Sequence, residues 1–163
     1  MASAVWHPED RSQVVYRLRP EAKFHDGQAM TPEDAIWSMM TLREIHPQYN
    51  AYYKNVVKAE QTGDHEVTFI FDEKGNRELP LITGQLPVLP KHWWTGKDAK
   101  GKDRNIAETT LEVPLGSGSY VASEIKPGAS YRMKRVADYW AKDLAVNLGQ
   151  DNFDEYEYIF FRD

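Results

Sequence analysis

A histidine beside a carboxylate is the pair from which general-base and nucleophilic sites are assembled. His25-Asp26 supplies one, inside AKFHDGQAMTPEDAIWSMM, residues 22–40. Such a pair turns catalytic only with a nucleophile or a metal delivered from elsewhere in the fold. The sequence offers no H-x-x-x-H, no G-x-S-x-G and no cysteine. Asp26-Gly27 is, in contrast, ordinary turn chemistry: an aspartate bonds nearby backbone, and glycine enters the left-handed region without steric cost. We read the pair as the turn between a strand and a helix, and expect no catalytic residue.

The other candidates dissolve in the same way. His7, His46, His65 and His92 stand singly, with no spacing that converges on a metal, so neither metal nor cofactor is expected. Gly116-Ser117-Gly118-Ser119-Tyr120 has glycines like a phosphate loop, but it lacks the Walker lysine and a strand pattern follows where a helix is needed. Lys91, Lys97, Lys100, Lys102 and Arg104 form a basic cluster diluted by Asp98 and Asp103, which reads as a solvated loop rather than an anion site. Trp93-Trp94 and Tyr49, Tyr52 and Tyr53 either stack on a ligand or second lobe, or fill a core; residue types alone leave both open.

The elements that must position these residues follow from periodicity. Residues 13–19, QVVYRLR, alternate, with Val14, Tyr16 and Leu18 on one face: a strand. Thr31-Pro32-Glu33-Asp34 reads as a helix start, with Thr31 as N-cap, Pro32 at the first helical position and Asp34 closing a capping box. Helical spacing lasts to about residue 44, and Pro47 stops it. Residues 48–60 read as a weaker helical or turn segment, 65–73 as a strand, 78–94 as a short helix or extended pieces broken by prolines, and 95–105 as a mobile loop. A hairpin is expected from strands 120–125 and 131–136 around Lys126-Pro127-Gly128, and EYEYIFFRD, residues 155–163, as a last strand.

The bulk numbers agree with a folded domain: 163 residues, 41% apolar and 28% charged. A net charge of −5 argues against nucleic acid, since phosphate binding needs clustered Lys and Arg. No apolar run approaches bilayer length, and MASAVWHPEDRSQ has neither the basic nor the apolar region of a signal peptide. An apolar strand ending at the terminus looks like a cut, and its edge at residues 156–161 offers a route to self-association by strand pairing.

The order of motifs resembles the family 5 extracellular solute-binding proteins of ABC importers, the oligopeptide, dipeptide and nickel-binding group. Leu18-Arg19, Lys23-Phe24, Asp26-Gly27 and Thr31, Glu33 and Asp34 match its opening pattern. Leu89-Pro90-Lys91-His92, Gly116-x-Gly118-x-Tyr120 and Asp138-Tyr139-Trp140 match later segments, with Ser119 where proline is usual and Val136-Ala137 where Asn-Pro is usual. Two stretches, residues 75–94 and 143–163, resemble the microcin C and oligopeptide-binding branch. The resemblance implies a mixed α/β (α+β) chain, an internal fragment of a two-lobe periplasmic binding protein of type II fold. Residues 1–113 would be the small subdomain of the first lobe and residues 114–163 a hairpin and strand of that lobe's main sheet, with the second lobe absent. It implies a periplasmic parent protein that binds a peptide or peptide-like ligand between two lobes and presents it to an ABC permease. This fragment alone would lack full binding. Tyr49 is the nearest match to the aromatic that the small subdomain contributes to the ligand. A stand-alone interaction module docking through an aromatic face, and a hydrolase using His25 or His92, are the alternatives.

Overall fold

The computed structural model describes residues 1–161; the last two residues of the expected terminal strand lie outside the described residues. They form two compact units, one of Met1–Pro20 with Met30–Ala107, the other of Glu21–Ala29 with Glu108 onward.

The first unit is built on an antiparallel sheet. Its strands are β1 (Ala2–Trp6), β2 (Gln13–Leu18), β3 (Val56–Gly63) and β4 (Glu66–Phe71), in the order β1-β2-β4-β3. Its helices are α1 (Pro32–Ile45), α2 (Pro47–Tyr52), α3 (Leu79–Gly84) and α4 (Lys91–Trp94). Alternation along β2 and β4 sends Val14, Tyr16, Val67, Phe69 and Phe71 into one core with Ala35 and Met39 of α1, Tyr53, Val56 and Leu79. Complete burial of a side chain such as Phe69 or Met39 contributes roughly 1.5–3 kcal/mol. The opposite face of β2 is less polar than alternation suggests, because Val15, paired with Thr68, is buried as well.

In the sheet of the first unit, sequence expectation and structure part at two places. Residues 48–60 are not one helical segment: α2 stops at Tyr52 and β3 begins at Val56. The change follows from β-branched Val56-Val57 and from an edge of β4 that β3 satisfies along its length. Residues 2–6, read only for the absence of a signal peptide, form β1 on the open edge of β2.

The expected start of α1 is present in full. Thr31 Oγ1 accepts from Asp34 N at 3.2 Å, and Asp34 Oδ2 accepts from Thr31 N at 2.9 Å and Thr31 Oγ1 at 2.7 Å. The other carboxylate oxygen reaches further: Asp34 Oδ1 accepts from Lys91 N at 3.0 Å. One turn on, the fully buried Ser38 Oγ accepts from Leu89 N at 2.8 Å and donates to Asp34 O at 2.6 Å. The two motifs TPED and LPKH are thus halves of one helix-to-segment clasp.

The second unit carries β5 (Tyr120–Lys126), β6 (Ser130–Arg135) and β7 (Glu155–Ile159), antiparallel in the order β5-β6-β7. The hairpin turn places Gly128 at φ +73, where glycine is at ease. Tyr131 pairs with Tyr158 across β6 and β7, their rings stacked at 4.6 Å.

Candidate ligand-binding site

The opening histidine and aspartate part company in the second unit. His25 Nε2 donates to Gly118 O at 2.8 Å, and His25 N donates to Gly116 O at 2.8 Å. Asp26 Oδ1 accepts from Gln28 N at 3.0 Å, the local bond of an Asx turn, with Gly27 at φ +86. Around them the remaining motif residues close. Lys23 Nζ meets Asp138 Oδ2 at 3.1 Å, and that hydrogen bond, with the lysine charge behind it, holds the Asp138 carboxyl below the usual carboxylate range. Trp140 Nε1 donates to Ser117 O at 3.1 Å, and Tyr120 Oη donates to Phe153 O at 2.7 Å. Segments 93 to 115 residues apart are therefore tied into one knot of turns. Its chemistry is architectural: each of these polar bonds ends on backbone or on a surface ion pair.

The basic cluster is dispersed by pairing. Lys91 meets Glu33 and Lys97 meets Asp103 at 2.7 Å. Asp98 accepts from Lys100 N and Lys102 N, bonds that lower its pKa. Arg104 lies over Trp93, 4.0 Å from the ring centroid. Residues 97–103 close as a tight turn through a Lys97–Asp103 bridge rather than an open loop. Among the described residues no group of three His, Asp or Glu is placed to hold a metal, and no helix is long and apolar enough to cross a membrane.

Tyr49 sits in the first unit, on α2, beside the largest hollow described, about 520 Å³ in volume. Gln48, Tyr49, Tyr52, Tyr53, Ile82 and Gln85 line it. Side chains along α2 and from the C-terminal end of α3 line it; Pro47 opens α2 directly after α1, and Pro80 lies in the first turn of α3. Tyr49 is stacked on Tyr53, nearly parallel with centroids at 5.9 Å, and the His46 ring is tilted against it at 5.1 Å. Tyr53 is buried, and burial, with the neighbouring tyrosines, pushes its hydroxyl up to about 12, so it stays a neutral donor. Tyr52 is 50% exposed, and its Oη accepts from Gln48 Nε2 at 3.0 Å. The sequence put the three tyrosines together as stacking candidates; Ile82 and Gln85 it could not add, because nothing in a proline-broken segment shows which side chains turn toward α2.

The family description "Bacterial extracellular solute-binding proteins, family 5 Middle" matches residues 1–163. The chain belongs to the family 5 extracellular solute-binding proteins. An uncharacterized protein of Sinorhizobium fredii, y4wM, is 50% identical over all of this chain and 25% of its own length. The probable peptide-binding protein YejA of Agrobacterium fabrum is 46% identical over all of this chain and 26% of its own length. Among solved structures, the periplasmic oligopeptide-binding protein of an oligopeptide ABC transporter from Thermotoga maritima matches with a TM-score of 0.75. That match is at 18% identity, over 99% of this chain and 29% of the other. The mixed α/β architecture is thus that of a piece of a family 5 binding protein, and the chain spans about a quarter of the length of the curated relatives it matches.

Proposed function

We propose that this chain is part of the substrate-binding component of an ABC importer. The parent protein captures oligopeptides or peptide-like compounds between two lobes in the periplasm and hands them to a membrane permease, without catalysing a reaction. One observation carries the reading: a family 5 match across every residue, joined by a 46%-identical relative named as a probable peptide-binding protein. In this reading residues 1–113 correspond to the small subdomain of the first lobe, and residues 114–163 to a hairpin and strand of its main sheet. Tyr49 is the ligand contact, in the lining of the α2–α3 hollow.

This part alone binds peptide weakly, because one wall of a cleft recovers little of the burial that offsets the ordering of a flexible ligand. The strand edge of β7, with Tyr158 and Ile159 about half exposed, supplies self-association instead. The comparisons give no support to a stand-alone interaction module. The test is calorimetric titration of a mixed short-peptide pool into this chain and, in parallel, into the product of its complete reading frame. Binding by the longer protein only is the expected result; comparable binding by both would overturn the one-wall account, and binding by neither would overturn peptide capture.

A further inference from the structure

The sheet of the first unit carries another cavity, which shares no lining residue with the hollow of Tyr49. Its floor follows from strand alternation. Tyr16 pairs with Val67, and Leu18 and Phe69 stand two residues along their strands, so all four side chains leave one face of the sheet. Each is buried and lines the cavity. Small residues complete the lining: Ala2 of β1, Ala35 of α1 and Gly84 of α3. A methyl added at Gly84 would stand 3.2 Å from Tyr16 Oη, so glycine lets α3 approach that closely. Large side chains beside small ones leave a space of about 70 Å³, which opens where Met1 and Gly84 are exposed.

The polar groups of this cavity are spent. Its lining has two side-chain hydroxyls, on Tyr16 and Thr83. They meet at 2.9 Å, Tyr16 Oη donates to Pro80 O, and Thr83 Oγ1 donates to Leu79 O at 2.8 Å. Each hydroxyl has one hydrogen, so neither has a donor left for a polar guest. Met1 brings an amino group whose pKa is lowered, first by burial and then by the Arg19 charge, so these surroundings disfavour a cation. Water entering such a space gives up most of its usual three or so hydrogen bonds, whereas a hydrocarbon gives up none.

We infer that this cavity receives a small uncharged aliphatic molecule. An apolar cavity of about 150 Å³ holds benzene. One of about 70 Å³ therefore takes roughly three or four carbon atoms. The guest is independent of peptide capture but lies against the same helix: Thr83 and Gly84 line this cavity, and their neighbours Ile82 and Gln85 line the hollow.

The experiment is titration of the 163-residue chain with cyclopropane, followed by its methyl NMR resonances. Acetamide serves as a polar probe of similar size, and toluene as a larger apolar one. Saturable shifts of the Leu18, Val67 and Val88 methyls are expected with cyclopropane and none with acetamide, while the Val121 methyls of the second unit stay unmoved. Toluene is expected to bind at least tenfold more weakly. Ala2→Leu, at a part-buried position of the lining, fills the space and is expected to weaken cyclopropane binding at least fivefold. Shifts that never saturate, that extend equally to Val121, or that acetamide also produces would overturn the site. Toluene binding as tightly as cyclopropane would overturn the assigned size, and full affinity in Ala2→Leu would place the guest elsewhere.

Discussion

Replacing Asp34 by alanine removes the clasp between α1 and the segment that leads into α4. The carboxylate accepts three hydrogen bonds, from Thr31 N, Thr31 Oγ1 and Lys91 N, and the residue is 6% exposed. Hydrogen bonds to a charged group contribute roughly 1.5–3 kcal/mol each, while loss of a helix cap alone costs about 1 kcal/mol. The three share one carboxylate and are not additive, and water reaches the exposed Thr31 end. A loss of about 3 kcal/mol is therefore expected, of which the bond to Lys91 N accounts for the excess over a simple cap. With a urea slope of about 1–3 kcal/mol per molar, the unfolding midpoint falls by roughly 1–3 M. The companion Thr31→Ala, which leaves Asp34 Oδ1 on Lys91 N, should cost only about 1 kcal/mol. Hydrogen exchange locates the effect: the Lys91 amide should lose protection in Asp34→Ala and keep it in Thr31→Ala. Equal midpoints for the two variants, or unchanged exchange at Lys91, would show that the reach from helix to segment contributes nothing.

Tyr16→Phe should lower stability by about 1–2 kcal/mol, since Tyr16 Oη donates to Pro80 O and meets Thr83 Oγ1 at 2.9 Å inside the core; urea denaturation measures it, and a neutral result would mean α3 is not anchored by that hydroxyl. At Gly116 an added methyl would stand 3.2 Å from His25 Cε1, on a ring already fixed by its bond to Gly118 O, whereas at Gly118 the nearest atom is 3.9 Å away. Gly116→Ala should thus cost about 1 kcal/mol or more, a fivefold or greater speeding of amide exchange in β5 and β6, with Gly118→Ala within about 0.5 kcal/mol; the reverse order would dismiss the packing argument. Tyr53 gives a pH prediction. Its folded value of about 12 lies above the ordinary 10, so the folded state holds the proton more tightly, stability is undiminished below pH 10 and falls as pH rises toward 12. Tyrosinate absorbance should show this ring among the last to ionise, and Tyr53→Phe should flatten the alkaline decline; an equally steep decline in the variant would assign it elsewhere.

What the sequence made legible was whatever is encoded locally. The strand at β2, the cap of α1 and the hairpin of β5 and β6 each announce themselves through alternation, a capping pair or turn residues within a few positions. The boundary between α2 and β3 does not, because β3 is selected by the waiting edge of β4 rather than by its own mixed polarity. The clasp from Asp34 to Lys91 spans 57 residues, and the sequence shows its two ends as separate motifs with no sign that they touch. The hollow was half visible: three tyrosines within five residues are conspicuous, while the glutamines that set its polarity look like any surface residue. Resemblance to a family supplied the order of the motifs, yet the bonds themselves turn those motifs into joints of the architecture.

The route of the chain has a consequence for its synthesis. Residues 21–29 leave one unit, join the other and return, so the second unit contains a piece made long before the remainder. His25 finds its Gly118 acceptor 93 residues later, and Lys23 waits 115 residues for Asp138. At translation speeds of about 5–20 residues per second, those partners emerge roughly 5–20 s after the turn has left the ribosome. During that interval Ala22 and Phe24, buried in the finished fold, are open to solvent and to any holdase nearby. A synonymous pause placed between codons 30 and 110 would lengthen the exposure without altering a single residue.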